Sequence, residues 1–145
     1  MSVIEPAISA FSTLGLPSFL LEPLEALGYE TATAIQSGTI PMLLEGRDVV
    51  GIAQTGTGKT AAFALPTLAG IDVSLRKPQA LVLCPTRELS MQVAEAFRSY
   101  GKQIKGLKVL TVCGGADMRQ QLKALREGVH VVVATPGRLL DHLER

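Results

Sequence analysis

Residues Ala53-Gln54-Thr55-Gly56-Thr57-Gly58-Lys59-Thr60 stand between an apolar run that reads as a strand and an apolar run that reads as a helix. A strand, a glycine-rich turn and a helix in that order leave few folds open. Gly56 and Gly58 can take backbone angles closed to other residues, so successive N–H groups converge on an anion at the N-terminus of the following helix. Lys59 would add a mobile cation for the β- and γ-phosphates of a nucleoside triphosphate, and the Thr60 hydroxyl would be a magnesium ligand. The general pattern G-x-x-x-x-G-K-[ST] begins with glycine, and this chain has Ala53 there. The competing reading is a glycine-rich surface turn, which the flanking strand and helix disfavour. On its own the segment specifies a triphosphate and leaves the reaction open.

The chain has 145 residues and 47% hydrophobic content, enough for one domain with a sizeable core. No apolar run approaches the ~18 residues that cross a bilayer, and the N-terminus lacks a basic and then apolar leader. A cytoplasmic protein with no membrane partner is expected. Cys84 and Cys113 each end an apolar strand-like run without metal-ligand spacing, so both read as free thiols in a reducing compartment. Charge is uneven: residues 1–72 hold two basic and seven acidic side chains (−5), whereas 73–145 hold twelve basic and six acidic (+6). The second half is the one expected to face a polyanion, although Arg98, Lys102, Lys105, Lys108, Arg119, Lys123 and Arg126 equally suit solvated helix faces.

After an irregular start, residues 18–27 read as a helix ending at Gly28, with a kink at Pro23. Residues 33–44 read as a second helix, opened by a Thr33/Gln36 capping box and disturbed by Pro41. Residues 48–53 are then the first strand and 59–69 a helix. Residues 79–84, an unbroken apolar run, suit a parallel strand covered on both faces. Thr86 caps a long helix toward Tyr100, residues 108–113 form a third strand, and Asp117 with Gln120 opens a helix ending near Gly128. Residues 130–134 form a fourth strand and 137–145 a last helix. Strand and helix alternate with short connections, which predicts an α/β fold with a doubly wound, mostly parallel sheet. Ligands collect at the carboxyl ends of such strands. Every cluster rich in Gly, Thr, Pro and Arg does follow a strand.

Those clusters together resemble the amino-terminal RecA-like half of a DEAD-box ATP-dependent RNA helicase. Ala53 to Thr60 is similar to motif I in its family form, Pro85-Thr86-Arg87-Glu88-Leu89 to motif Ia, Gly114-Gly115 to the GG motif, and Thr135-Pro136-Gly137-Arg138 to motif Ib. Gly28-Tyr29 and Thr33-Ala34-Ile35-Gln36 match the Q motif, with Phe11 at its upstream aromatic position. Ala32 and Ala34 stand where many members have proline, and Ser90 where many have alanine. The resemblance implies a Q-motif segment with leading helices over residues 1–46 and the first part of a RecA-like domain over 47–145. It further implies ATP and Mg²⁺ as cofactors and RNA as partner. Phe11, Tyr29, Thr33, Gln36 and Ala53 to Thr60 would hold the nucleotide, with Phe11 supporting the Q motif and Tyr29 beside adenine. Pro85, Thr86, Arg87, Gly114, Gly115, Thr135, Pro136, Gly137 and Arg138 would line the RNA.

The side chains make chemical sense of these roles. The Gln36 amide can meet the N6 amine and N7 acceptor of adenine together, a pairing that guanine does not satisfy; its other reading is the capping box alone. Arg87 and Arg138 place guanidiniums where a phosphate backbone can lie, while Thr86 equally suits a helix cap and Arg87 an ion pair. Aromatics make up 4% of residues, so serial base stacking is not available and backbone contact with little sequence preference is expected. Motif II of the family, Asp-Glu-Ala-Asp, does not occur in this sequence, nor do motif III and the second RecA-like domain. Without that acidic pair, nothing anchors magnesium from the far side or orients the attacking water, so this piece should bind ATP without hydrolysing it. Unpaired sheet edges are expected to favour association. Two readings follow, a piece of a helicase or a short product that only binds nucleotide or RNA; a P-loop kinase or GTPase leaves Gln36 and both arginine clusters unexplained.

Overall fold

The structure, a computed structural model, describes residues 9–145. It divides into two compact units, the described residues up to Gly70 with Ser99–Gln103, and Ile71–Arg98 with Ile104–Arg145.

In the first unit, Ser9–Ala10 (β1) pairs antiparallel with Thr31–Ala32 (β2). This two-stranded ribbon replaces part of the irregular start expected from sequence; residues 1–8 of that start lie outside the described residues. A 3₁₀ turn over Phe11–Thr13 follows, then helix α1 over Ser18–Ala26 and α2 over Ala34–Leu44. The capping box forms as expected, with the Thr33 N–H donating to Gln36 Oε1 at 2.9 Å. Pro41 lies inside α2 without ending it. Packing of α2 against α3, Lys59–Ala69, offsets the hydrogen bond that proline removes. Leu20, Leu24, Ile40, Leu65 and Leu68 are at most 1% exposed, and burying each such side chain contributes about 1.5–3 kcal/mol.

The strand expected over residues 48–53 is not formed. Val49 and Gly51 line a groove with Ile35, Thr39 and Phe63, while Val50 and Ile52 are each 92% exposed. The in-out alternation of an extended segment is therefore present. What it lacks is a partner: no described strand pairs with it, and a strand exists only as one side of a shared hydrogen-bond ladder.

The second unit runs Ala80–Leu83 (β3), Arg87–Tyr100 (α4, whose last two residues belong to the first unit), Val109–Val112 (β4), Met118–Glu127 (α5), Val131–Ala134 (β5) and Pro136–Leu143 (α6). Its sheet is parallel in the order β3-β5-β4, with Val82 and Thr111 both opposite Val133. All four residues of the central strand β5 are buried. On one face Val112, Val132 and Ala134 pack with Leu125 of α5 and Leu139 of α6. That cover does not reach the edge strand. Leu81 and Leu83, opposite Val132 and Ala134, are 54% and 57% exposed, and Leu81 borders a groove of about 400 Å³, so the expectation that this strand is covered on both faces is corrected. Gly128 ends α5 as expected, with φ of 101°, and a Cβ there would lie 2.8 Å from Arg76 Cβ. Among the described residues no helix is long and apolar enough to cross a membrane.

Candidate functional site

The glycine turn of the first unit has the conformation its sequence requires. Gly56 and Gly58 have φ of 82° and 79°, and Gly58 is the N-cap of α3, whose first turn holds no acidic residue. Free N–H groups and the positive end of the helix dipole thus meet at one point. A Cβ at Gly56 would meet nothing within 4 Å, so the loop is open above that position. Thr57 donates through Oγ1 to the Gln54 carbonyl at 2.6 Å, and the exposed Lys59 ammonium donates to the Ala53 carbonyl at 2.6 Å. Thr55 is exposed and Thr60 half-buried one residue into the helix. The residues present fit a polyphosphate: the first N–H groups of α3 open onto the turn, the Lys59 ammonium lies at the Ala53 carbonyl where the turn begins, and the first turn of α3 holds no carboxylate.

Gln36 is 5% exposed and spans from its own helix to this turn. Its Oε1 closes the capping box, and its Nε2 donates to the Gly58 carbonyl at 3.1 Å. Any side chain at Gly58 would collide with that amide. One lone pair on Oε1 and one N–H on Nε2 remain for a ligand. In the same unit, Phe11, Leu21, Glu25 and Tyr29 line a cavity of about 390 Å³. Phe11 is buried and Tyr29 is 45% exposed, their rings tilted with centroids 6.5 Å apart. Behind Tyr29 stands Tyr100, with centroids 6.3 Å apart. Burial foremost, then the neighbouring Tyr29 hydroxyl, pushes the Tyr100 pKa up to about 12, so it stays neutral. Sequence reading missed Tyr100, because it comes from a helix remote in the chain and carries no motif of its own.

The other three clusters lie in the second unit. Because β3, β4 and β5 are parallel and in register, the chain leaves all three at one edge of the sheet. Pro85, Thr86 and Arg87 are exposed there, and Thr86 Oγ1 accepts from the Leu89 N–H at 3.2 Å, which makes it the cap of α4. After β4, Gly114 is open and Gly115 has φ of 83°; a Cβ at Gly115 would sit 2.5 Å from Arg87 Nη1, so the guanidinium rests on the glycine. After β5, Thr135 is the N-cap of α6, Pro136 opens it, and Gly137 is open. Arg138 turns back, donating from Nη1 to the Ala116 carbonyl at 3.1 Å. Residues 114–116 are thus a hub on which both arginines settle. Cys84 and Cys113, at the ends of β3 and β4, are free and buried, and burial pushes the Cys84 thiol pKa up.

Comparison with known proteins bears on both units. The DEAD/DEAH box helicase family pattern matches residues 33–145. The ATP-dependent RNA helicase DeaD of Buchnera aphidicola subsp. Schizaphis graminum is 56% identical over 137 residues, which are 94% of this chain and 23% of that protein. A crystal structure of a DEAD box protein from Methanococcus jannaschii superposes with a TM-score of 0.89 at 38% identity, over 97% of this chain and 38% of its own. The RNA helicase Prp28 from Chaetomium thermophilum bound to ADP gives 0.87 at 41% identity, over 100% of this chain and 36% of its own. These likenesses bear out the RecA-like α/β fold. The family pattern starts at Thr33, beside the Gln36 amide, and runs through the glycine turn and all three sheet-edge clusters: the chain belongs to the DEAD/DEAH box helicase family.

Proposed function

We propose that this chain is part of an ATP-dependent RNA helicase, and that it holds adenine nucleotide and contributes half of an RNA-backbone site without itself hydrolysing ATP. The observation that carries the reading is the glycine turn at the start of α3, with the buried Gln36 amide bonded to it. The turn and Lys59 would take the phosphates, and the two free valences of Gln36 would take the adenine edge beside Tyr29. Among the described residues no group of three His, Cys, Asp or Glu could hold a metal. Magnesium would be held by Thr60 and the phosphate oxygens, where it would neutralise phosphate charge. Residues 1–46 would carry base recognition and 47–145 the phosphate and RNA motifs. The acidic motif that positions water in the family is not in this sequence, and phosphoryl transfer depends on that positioning. ATP turnover by the purified chain would overturn the inactive assignment.

Gln36→Ala is expected to weaken ATP binding about tenfold, the effect of one to two hydrogen bonds, with GTP binding little changed. An unchanged ATP affinity in a competition titration would refute the adenine role. For RNA, Arg138→Ala should weaken binding alike across unrelated single strands and lower the slope of log affinity against log salt by about 1. A loss confined to one sequence would contradict backbone readout.

A further inference from the structure

Arg138 is held by more than the Ala116 carbonyl. Its side chain is only 16% exposed although it is charged. Nη1 also lies 3.4 Å from Oε1 of Gln121 in α5, and Nε lies 4.0 Å from Asp141 Oδ2. Gln121 is 4% exposed, and its amide has one orientation that satisfies its neighbours. Nε2 donates to the Cys113 carbonyl at 3.2 Å, just before the glycine hub, and Oε1 then faces two donors. The second donor is His142 of α6, whose Nε2 lies 2.7 Å from Oε1. His142 Nδ1 is buried without a partner, which fits a neutral ring with its proton on Nε2. Burial, with the cations of Arg138 and Arg145 against the opposing Asp141 carboxylate, lowers the His142 pKa and favours that neutral form.

We propose that Gln121 and His142 are positioning residues for Arg138: His142 locks the Gln121 amide, and the amide ties the Arg138 guanidinium to the turn that follows β4. The claim rests on the RNA-backbone reading for its consequence and on these contacts for its geometry. A long, flexible arginine otherwise loses rotamer freedom each time it meets a phosphate. Held at Nη1, it keeps the donors of Nη2 for an anion and meets the phosphate already ordered.

The test uses this chain with His142→Ala, His142→Gln, Gln121→Met and Arg138→Ala. Two measurements are made: ¹⁵N NMR of the Arg138 Nε–H without RNA, and anisotropy titration of a fluorescein-labelled oligouridylate at several salt concentrations. His142→Ala and Gln121→Met should mobilise the Arg138 Nε–H and weaken RNA about three- to tenfold. The salt slope should stay unchanged, because no charge is removed, and His142→Gln, which retains a donor, should restore both signals. A merely structural defect would not be rescued in that way. Should Gln121→Met fail to fold, His142→Ala, at the end of a partly exposed helix, still decides the matter. An Arg138 signal equally ordered in wild type and His142→Ala overturns the proposal. RNA affinity that falls in Arg138→Ala but not in His142→Ala overturns it as well. If the wild-type chain binds no RNA while His142→Ala still mobilises Arg138, the positioning role stands and the RNA reading falls.

Discussion

Alanine in place of Lys59 is expected to lower the affinity of this chain for ATP by on the order of ten- to a hundredfold while leaving the fold intact. The effect follows from charge: hydrogen bonds to an ionised partner contribute roughly 1.5–3 kcal/mol each, and 1.4 kcal/mol is tenfold in affinity. Intactness follows from place. Lys59 is the exposed first residue of α3, and its ammonium bonds an exposed carbonyl, that of Ala53. Alanine is at least as good a helix former there. Titration of a fluorescent ATP analogue, with urea unfolding as the control, separates the two effects. Lys59→Arg keeps the charge but presents a planar fork to a loop shaped by single backbone donors, so intermediate affinity is expected. An alanine variant that binds as tightly as wild type would show that the turn captures phosphate by backbone alone, or not at all.

How legible such a site is in sequence depends on how local its causes are. The helix over Lys59–Ala69 was readable at both ends, because a left-handed glycine precedes it and another glycine follows it. Asp117 announced α5 for the same reason; its carboxylate accepts from the Arg119 N–H at 2.9 Å, a contact within one turn of chain. The segment 48–53 misled because alternation reports which side chains are apolar and not whether a neighbour exists to share hydrogen bonds. Coverage of β3 misled similarly, since an apolar run cannot say that α5 and α6 stop short of the edge. The β1–β2 ribbon is two residues on each side, too short for any period to show. At the site, the glycines, Lys59, Gln36, Arg87 and Arg138 were visible as residue types demanded by chemistry. Tyr100 and Gln121 were not, because each owes its place to contacts with residues remote in the sequence. Gln36 sits between these cases: the capping box was written in the sequence, but its bond to Gly58 needed the fold.

His130→Ala is expected to destabilise the second unit by about 2–4 kcal/mol, from two lost hydrogen bonds and the lost packing of a buried ring. His130 is 3% exposed and immediately precedes β5. The Lys108 N–H donates to its Nδ1 at 3.0 Å, so the ring proton sits on Nε2 and is donated to the Val73 carbonyl at 3.1 Å. Its backbone carbonyl accepts from the Gln79 N–H at 2.8 Å, and its own N–H donates to the Lys108 carbonyl at 2.9 Å. The residue thereby ties the entry to β3, the entry to β4 and the loop at Val73 to the central strand. Alanine keeps the two backbone bonds and removes the two ring bonds, leaving the Lys108 amide without its protein partner. Amide hydrogen exchange at Lys108 should accelerate by the corresponding factor, about thirty- to a thousandfold if exchange proceeds through global opening of the unit. Because β5 carries the register of both edge strands, exchange should also accelerate at Val82 and Thr111, whereas residues of α2 and α3 should be less affected. An alanine variant in which the Lys108 amide exchanges at the wild-type rate would mean that water replaces the imidazole without loss, and that the sheet's alignment rests on its apolar faces alone.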